Sequence, residues 1–89
     1  MIIDYIPFFF GELDKTFKGH EYSGYSMVVL PDGRLCSGGV DRTIKIWDTK
    51  TGECIKTLIG HNGSIYSLTV LPDGRLCSGS SDRTIKIWK

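Results

Sequence analysis

Apolar and β-branched residues fall in short runs of strand length at 25–30 (YSMVVL), 34–38, 43–47 (TIKIW), 54–59, 65–71, 75–79 and 84–88. Turn-forming punctuation, such as Gly19-His20, Pro31-Asp32-Gly33 and the stretch 48–52, separates the runs, which predicts an all-β chain. Pro31 presets its own φ and Gly33 supplies a positive φ, so that turn reverses the chain between two strands. In the run 84–88, Ile85 and Ile87 take one face and Thr84, Lys86 and Trp88 the other. Apolar groups on both faces predict a sheet covered on both sides. The run around LCSG is built of small side chains, which suits a place where sheets converge and favours wedge-like radial packing over flat layers. Residues 13–18, anchored by Leu13 and Phe17, read as a short outer strand.

The pattern is written twice. LPDGRLCSG occurs at 30–38 and again at 71–79, each followed by DRTIKIW, at an offset of 41 residues. Between residues 20–48 and 61–89, 21 of 29 positions are identical, and a period near 40 points to a propeller or solenoid. The strand order is one outer strand (13–18), three strands, one outer strand (54–59), three strands. That amounts to two sets of four, cut out of phase. Gly24 stands where the second repeat has Ile65, which predicts a looser first set, with Tyr22 available to fill the gap.

A Gly-His pair, a strand, a Pro-Asp-Gly turn, a small-residue strand, an Asp six residues before a Trp, and a Trp-Asp ending together resemble the WD-repeat β-propeller family. The resemblance covers residues 13–89, and the second repeat departs from it only in ending Trp88-Lys89. It implies two four-stranded antiparallel blades of an incomplete ring, with each repeat supplying the outer strand of one blade and three inner strands of the next. It also implies a polar network of His20, Ser37, Asp41 and Trp47 in the first repeat and His61, Ser78, Asp82 and Trp88 in the second. Trp offers one donor, neutral His one donor and one acceptor, a hydroxyl both, and a carboxylate only acceptors, so such a set can satisfy itself.

Composition narrows the function. Eleven basic and ten acidic residues leave a net charge of +1 with no basic face, so neither nucleic acid nor a membrane is an expected partner. Cys36, Cys54 and Cys77 are odd in number and lack metal spacing, which predicts free thiols, a reducing intracellular compartment (cytoplasmic or nuclear) and no metal. Residues 1–12 open with MIIDYIPFFFG, which has no basic start or cleavage pattern and is too short to span a bilayer, and which reads instead as a strand or an apolar flap over an edge of the folded unit.

Ser, His and Asp also suggest a hydrolase triad. The set occurs twice, however, no GxSxG elbow is present, and neither serine sits on a strand-to-helix turn, so no catalytic residue or cofactor is expected. The resemblance instead implies a protein-interaction scaffold that binds proteins or peptides through loops. These loops hold Glu21, Ser23, Val40 and Arg42 in the first repeat and Asn62, Ser64, Ser81 and Arg83 in the second. Arg42 and Arg83 read either as an anion-binding pair or as solvated turn residues. Because two blades cannot close a ring, the chain is expected to self-associate as a homo-oligomer, to pair with other blades, or to fold weakly. The alternative reading is a self-assembling unit or a gene fragment with no binding function of its own.

Overall fold

A computed structural model of the chain describes residues 11–89, in which seven strands form two antiparallel sheets. The first holds β1 (Gly24–Val29), β2 (Leu35–Gly39), β3 (Thr43–Trp47) and β4 (Cys54–Ile59), side by side in chain order. The second holds β5 (Ile65–Val70), β6 (Leu76–Ser80) and β7 (Ile85–Trp88), also in chain order. The N-terminal apolar segment lies, up to residue 10, outside the described residues.

Each β1–β2 and β5–β6 connection is the Pro-Asp-Gly turn. Gly33 and Gly74 take φ of 93° and 92°, and their N–H groups donate to Leu30 and Leu71 carbonyls. The Leu30 and Leu71 N–H groups then donate to the carbonyls of Arg34 and Arg75, closing a hairpin with a bulged glycine. The β2–β3 and β6–β7 turns repeat this geometry with Arg42 and Arg83 at φ of 71° and 72°, positions where a Cβ is disfavoured.

Where a second four-stranded blade is expected, there are three strands, and residues 13–18 form none. The reason is the stagger: 13–18 would pair with the third strand of a sheet preceding the first, and none of the described residues supplies one. A strand without a ladder partner has no place for its N–H and C=O groups except water.

The core lies between the sheets, where β1 and β2 pack on β5. Leu30, Cys36, Ile44, Ile46, Ile65 and Leu76 are buried there, with Val28, Leu58, Leu68, Val70 and Trp88 against them. Ile65 is fully buried, its Cγ2 reaching the space over Gly38, where any Cβ would stand 2.5 Å away. The two sheets can approach this closely only because that strand carries small residues.

The end faces are bare. Ile44 is 0% exposed, yet its repeat equivalent Ile85 is 76% exposed; Met27 is 70% exposed, whereas its equivalent Leu68 packs on the core. The expectation of a looser first set is therefore reversed. The first sheet has a fourth strand over β3 and a neighbour on its Ile44 face, while the second has neither. Nor does Tyr22 fill the place of Ile65: it is 63% exposed, because Gly24 lies on a face that no sheet covers.

Candidate functional site

In each repeat the Asp comes from the tight turn before the third strand, the Ser from the middle of the second strand, the Trp from the end of the third, and the His from the loop leading into the first. Antiparallel register places them together, with Leu35 opposite Trp47 and Ser37 opposite Lys45, so that Ser37 and Trp47 share a face. The Trp47 indole N–H donates to Ser37 Oγ at 2.8 Å, and Ser37 Oγ lies 2.6 Å from His20 Nε2. His20 Nδ1 lies 3.1 Å from Asp41 Oδ2. In the second repeat the same contacts are Trp88 to Ser78 at 2.8 Å, Ser78 to His61 Nε2 at 2.7 Å, and His61 Nδ1 to Asp82 at 2.9 Å. One assignment satisfies every atom: the indole donates to the serine, the serine hydroxyl donates to Nε2, and Nδ1–H donates to the carboxylate.

Threonines extend the network, and glycines and an aromatic ring pack against it. The Thr43 hydroxyl and N–H both donate to Asp41, and Thr84 does the same for Asp82. The Asp-Arg-Thr spelling carries this signal, an Asx turn in which the carboxylate reaches the N–H two residues on. Gly19 and Gly60 are the seats of the indoles: a Cβ would lie 2.6 Å from a Trp47 ring carbon or 2.8 Å from one of Trp88. The Phe17 ring also meets Trp47, at 5.5 Å between centroids.

Both aspartates hold their protons weakly. Burial raises the Asp41 value, but donors from Thr43, Glu21 and His20 outweigh it and bring it from 3.8 to about 2. Asp82 is lowered as well, first by the Thr84 hydroxyl, then, against a desolvation cost, by the Asn62 N–H and His61. A folded-state value below the unfolded one adds stability above pH 4 or so that is lost as pH falls through the folded value. The melting temperature is expected to drop as pH is lowered from about 4 towards 2, and to drop less in an Asp41→Asn/Asp82→Asn variant. An equal drop in that variant places the acid sensitivity elsewhere.

The network is triad-like in its distances, but Ser78 is buried and its oxygen already accepts the indole N–H. A nucleophile needs an approach path for its target, and this oxygen has none. The thiols differ among themselves: Cys36 is buried, and burial pushes it up to about 11, whereas Cys77 is half-buried and Cys54 exposed. Cys77, the repeat equivalent of Cys36, is partly uncovered because its face has no neighbouring sheet.

Asp41 and Asp82 also shape the loops. The Glu21 N–H donates to Asp41 at 3.1 Å and the Asn62 N–H to Asp82 at 3.0 Å. Val40 and Ser81 N–H groups donate to the Ser23 and Ser64 carbonyls, each at 2.9 Å. The two loops of each repeat are thereby joined at one end of its strands. Glu21, Ser23, Arg42, Asn62, Ser81 and Arg83 are exposed there, with Val40 and Ser64 half-buried. At the open face of the first sheet, a cavity of about 880 Å³ is lined by Phe17, Tyr22, Met27, Leu35 and Trp47 and touches His20 and Ser37.

Comparison with known proteins agrees with this geometry. The family model described as "WD domain, G-beta repeat" matches residues 11–48 and 52–89. A probable E3 ubiquitin ligase complex SCF subunit sconB of Emericella nidulans is 54% identical over 39 residues, which are 44% of this chain and 6% of that protein. The Aspergillus clavatus protein of the same name is 51% identical over 39 residues, 44% of this chain and 5% of its own. In solved structures, the WD40 β-propeller domain of Doa1 superposes with a TM-score of 0.84 at 32% identity, covering 90% of this chain and 27% of that one. The chain thus spans a small part of the relatives it matches. With both halves matched by one family and the blade geometry in place, the chain belongs to the WD40 repeat family.

Proposed function

We propose that the chain is a protein-interaction scaffold of WD-repeat type, and that its partner surface is the loop end formed by Glu21, Ser23, Val40, Arg42, Asn62, Ser64, Ser81 and Arg83. The observation that carries this reading is a division of labour within each repeat. Asp41 and Asp82 fix the loop backbones, while among the described residues the loop side chains take no hydrogen bond in the framework. Six of the eight are exposed, Arg42 and Arg83 among them, and these two suit an acidic or phosphorylated peptide, since a guanidinium meets a carboxylate or phosphate with paired donors.

The network residues His20, Ser37, Asp41 and Trp47, with His61, Ser78, Asp82 and Trp88, serve in this reading as framework, without catalysis or cofactor. The similarity to proteins named as SCF complex subunits supports proteins as the partner class and the cell interior as the setting, which in this reading is the cytoplasm or nucleus. Among the described residues, no helix is long and apolar enough to cross a membrane.

Selection of displayed peptides, with and without phosphorylation, on the full chain tests the reading. Enriched acidic peptides are expected to lose about tenfold in affinity, near 1.4 kcal/mol, against an Arg42→Glu/Arg83→Glu variant with unchanged melting temperature. Peptides that bind parent and variant equally, or no enrichment at all, overturn it.

A further inference from the structure

The two end faces of the molecule are each other's missing halves. At the junction inside the chain, a face of the first sheet (Cys36, Ile44, Ile46) meets a face of the second that includes Leu68, Leu76 and Trp88. The residues equivalent to the first set, Cys77, Ile85 and Ile87, form the free face of the second sheet, where Ile85 and Ile87 are bare. The equivalents of the second set, Met27, Leu35 and Trp47, form the free face of the first, beside the cavity. Among the described residues, the two uncovered faces therefore repeat the surfaces already joined at the centre.

The strand ladder has the same complement. The outer edge of β7 is unpaired among the described residues, whereas β3, spelled with the same letters, carries β4. In that pairing Thr43 faces Ile59, Ile44 faces Leu58, Lys45 faces Thr57, Ile46 faces Lys56 and Trp47 faces Cys54. Carried over by the repeat offset, β7 calls for Lys18 opposite Thr84, Phe17 opposite Ile85, Thr16 opposite Lys86, Lys15 opposite Ile87 and Leu13 opposite Trp88. Residues 13–18 are without a ladder, and Phe17 already lies on the free face of the first sheet, against Trp47. They cannot reach β7 of their own chain, since the opposite free face of the molecule carries it.

We propose that residues 13–18 of one copy add as the fourth strand to β7 of a second copy, so that the chain assembles head to tail through a repetition of its own sheet-to-sheet junction. Chain connectivity agrees with this. β4 runs straight into β5, which docks on β1; in the assembly, 13–18 runs straight into β1, which docks on β5 of the second copy. Phe17 then covers Ile85, and the Lys86–Thr16 pair repeats the Lys45 Nζ to Thr57 Oγ1 hydrogen bond of 3.0 Å. The contact joins unlike surfaces, so it closes into a ring at about four to eight blades or extends into fibres.

The inference rests on the blade architecture and not on the loop surface, so the two proposals fail in different experiments. Two full-length proteins, both carrying Cys54→Ser, are mixed under oxidising conditions, one with Thr16→Cys and the other with Lys86→Cys. A disulfide-linked dimer of the two is expected, with much less from Lys15→Cys mixed with Lys86→Cys, because a shift of one residue turns the side chain to the other face. Ile85 is 76% exposed in the single chain, so Ile85→Lys should keep the parent's circular dichroism. Its mass by light scattering should fall to that of one 10.0 kDa chain, whereas the parent forms larger species. A parent that is monomeric at high micromolar concentration, a cross-link no stronger than in the shifted control, or assembly untouched by Ile85→Lys overturns the proposal.

Discussion

Replacing Ile65 with alanine is expected to lower the free energy of unfolding by about 2–5 kcal/mol, measured by urea denaturation. Domains are held by only about 5–15 kcal/mol in total, so a chain this small is expected to be largely unfolded at 37 °C by that one change. Ile65 is fully buried at the junction of the two sheets, and its Cγ2 occupies the space left by the missing side chain of Gly38. Truncation leaves a void bounded by backbone on one side, which cannot collapse inward without moving a strand. Ile59→Ala is the control: that residue is largely exposed, and its loss is expected to cost about 0.5 kcal/mol or less. Equal effects of the two substitutions would show that the junction is not where the stability resides.

Ser78→Ala is expected to cost about 1–3 kcal/mol in melting or denaturant experiments, despite removing a single oxygen. That atom accepts the Trp88 indole N–H and faces His61 Nε2, and His61 is buried, so two partners lose their bond together in a place water reaches poorly. The equivalent change in the first repeat, Ser37→Ala, is expected to cost less. Its network borders the cavity at the open face, where a water can stand in for the hydroxyl. If Ser78→Ala melts with the parent, the network is not a framework.

Much of the fold was legible because it is written twice. Strand bounds for β3 and β4 could be read to the residue, and those of the other strands to within one, since apolar runs and Pro-Asp-Gly punctuation recur at one offset. Ser37 and Ser78 stand at equivalent positions of that duplication, and they are the hydroxyls that meet the indoles. What could not be read was whether a strand would have a partner. Residues 13–18 have the spelling of an outer strand, but a strand exists only against another, and that neighbour is not written in local sequence. For the same reason DRTIKIW gave no hint that Ile44 is buried and Ile85 bare. The seats under the indoles at Gly19 and Gly60 were hidden differently: both glycines read as punctuation, and only three-dimensional packing reveals a ring lying on each.

The shared spelling of β3 and β7 has a consequence for how the chain folds. β4 lies between them in sequence, and either could receive it in the same register, since every residue that β4 faces on β3 recurs on β7 or directly beside it. Side-chain recognition therefore hardly discriminates between the two. What discriminates is the connecting chain: residues 48–53 link β4 to β3, and residues 60–84 separate it from β7. The longer loop is roughly four times the shorter, and at about 0.6 kcal/mol per doubling its closure costs about 1.2 kcal/mol more. The local hairpin wins by that entropy and by the Asp48–Gly52 turn that shapes it. The topology of the first sheet is in this sense a matter of chain length more than of chemistry.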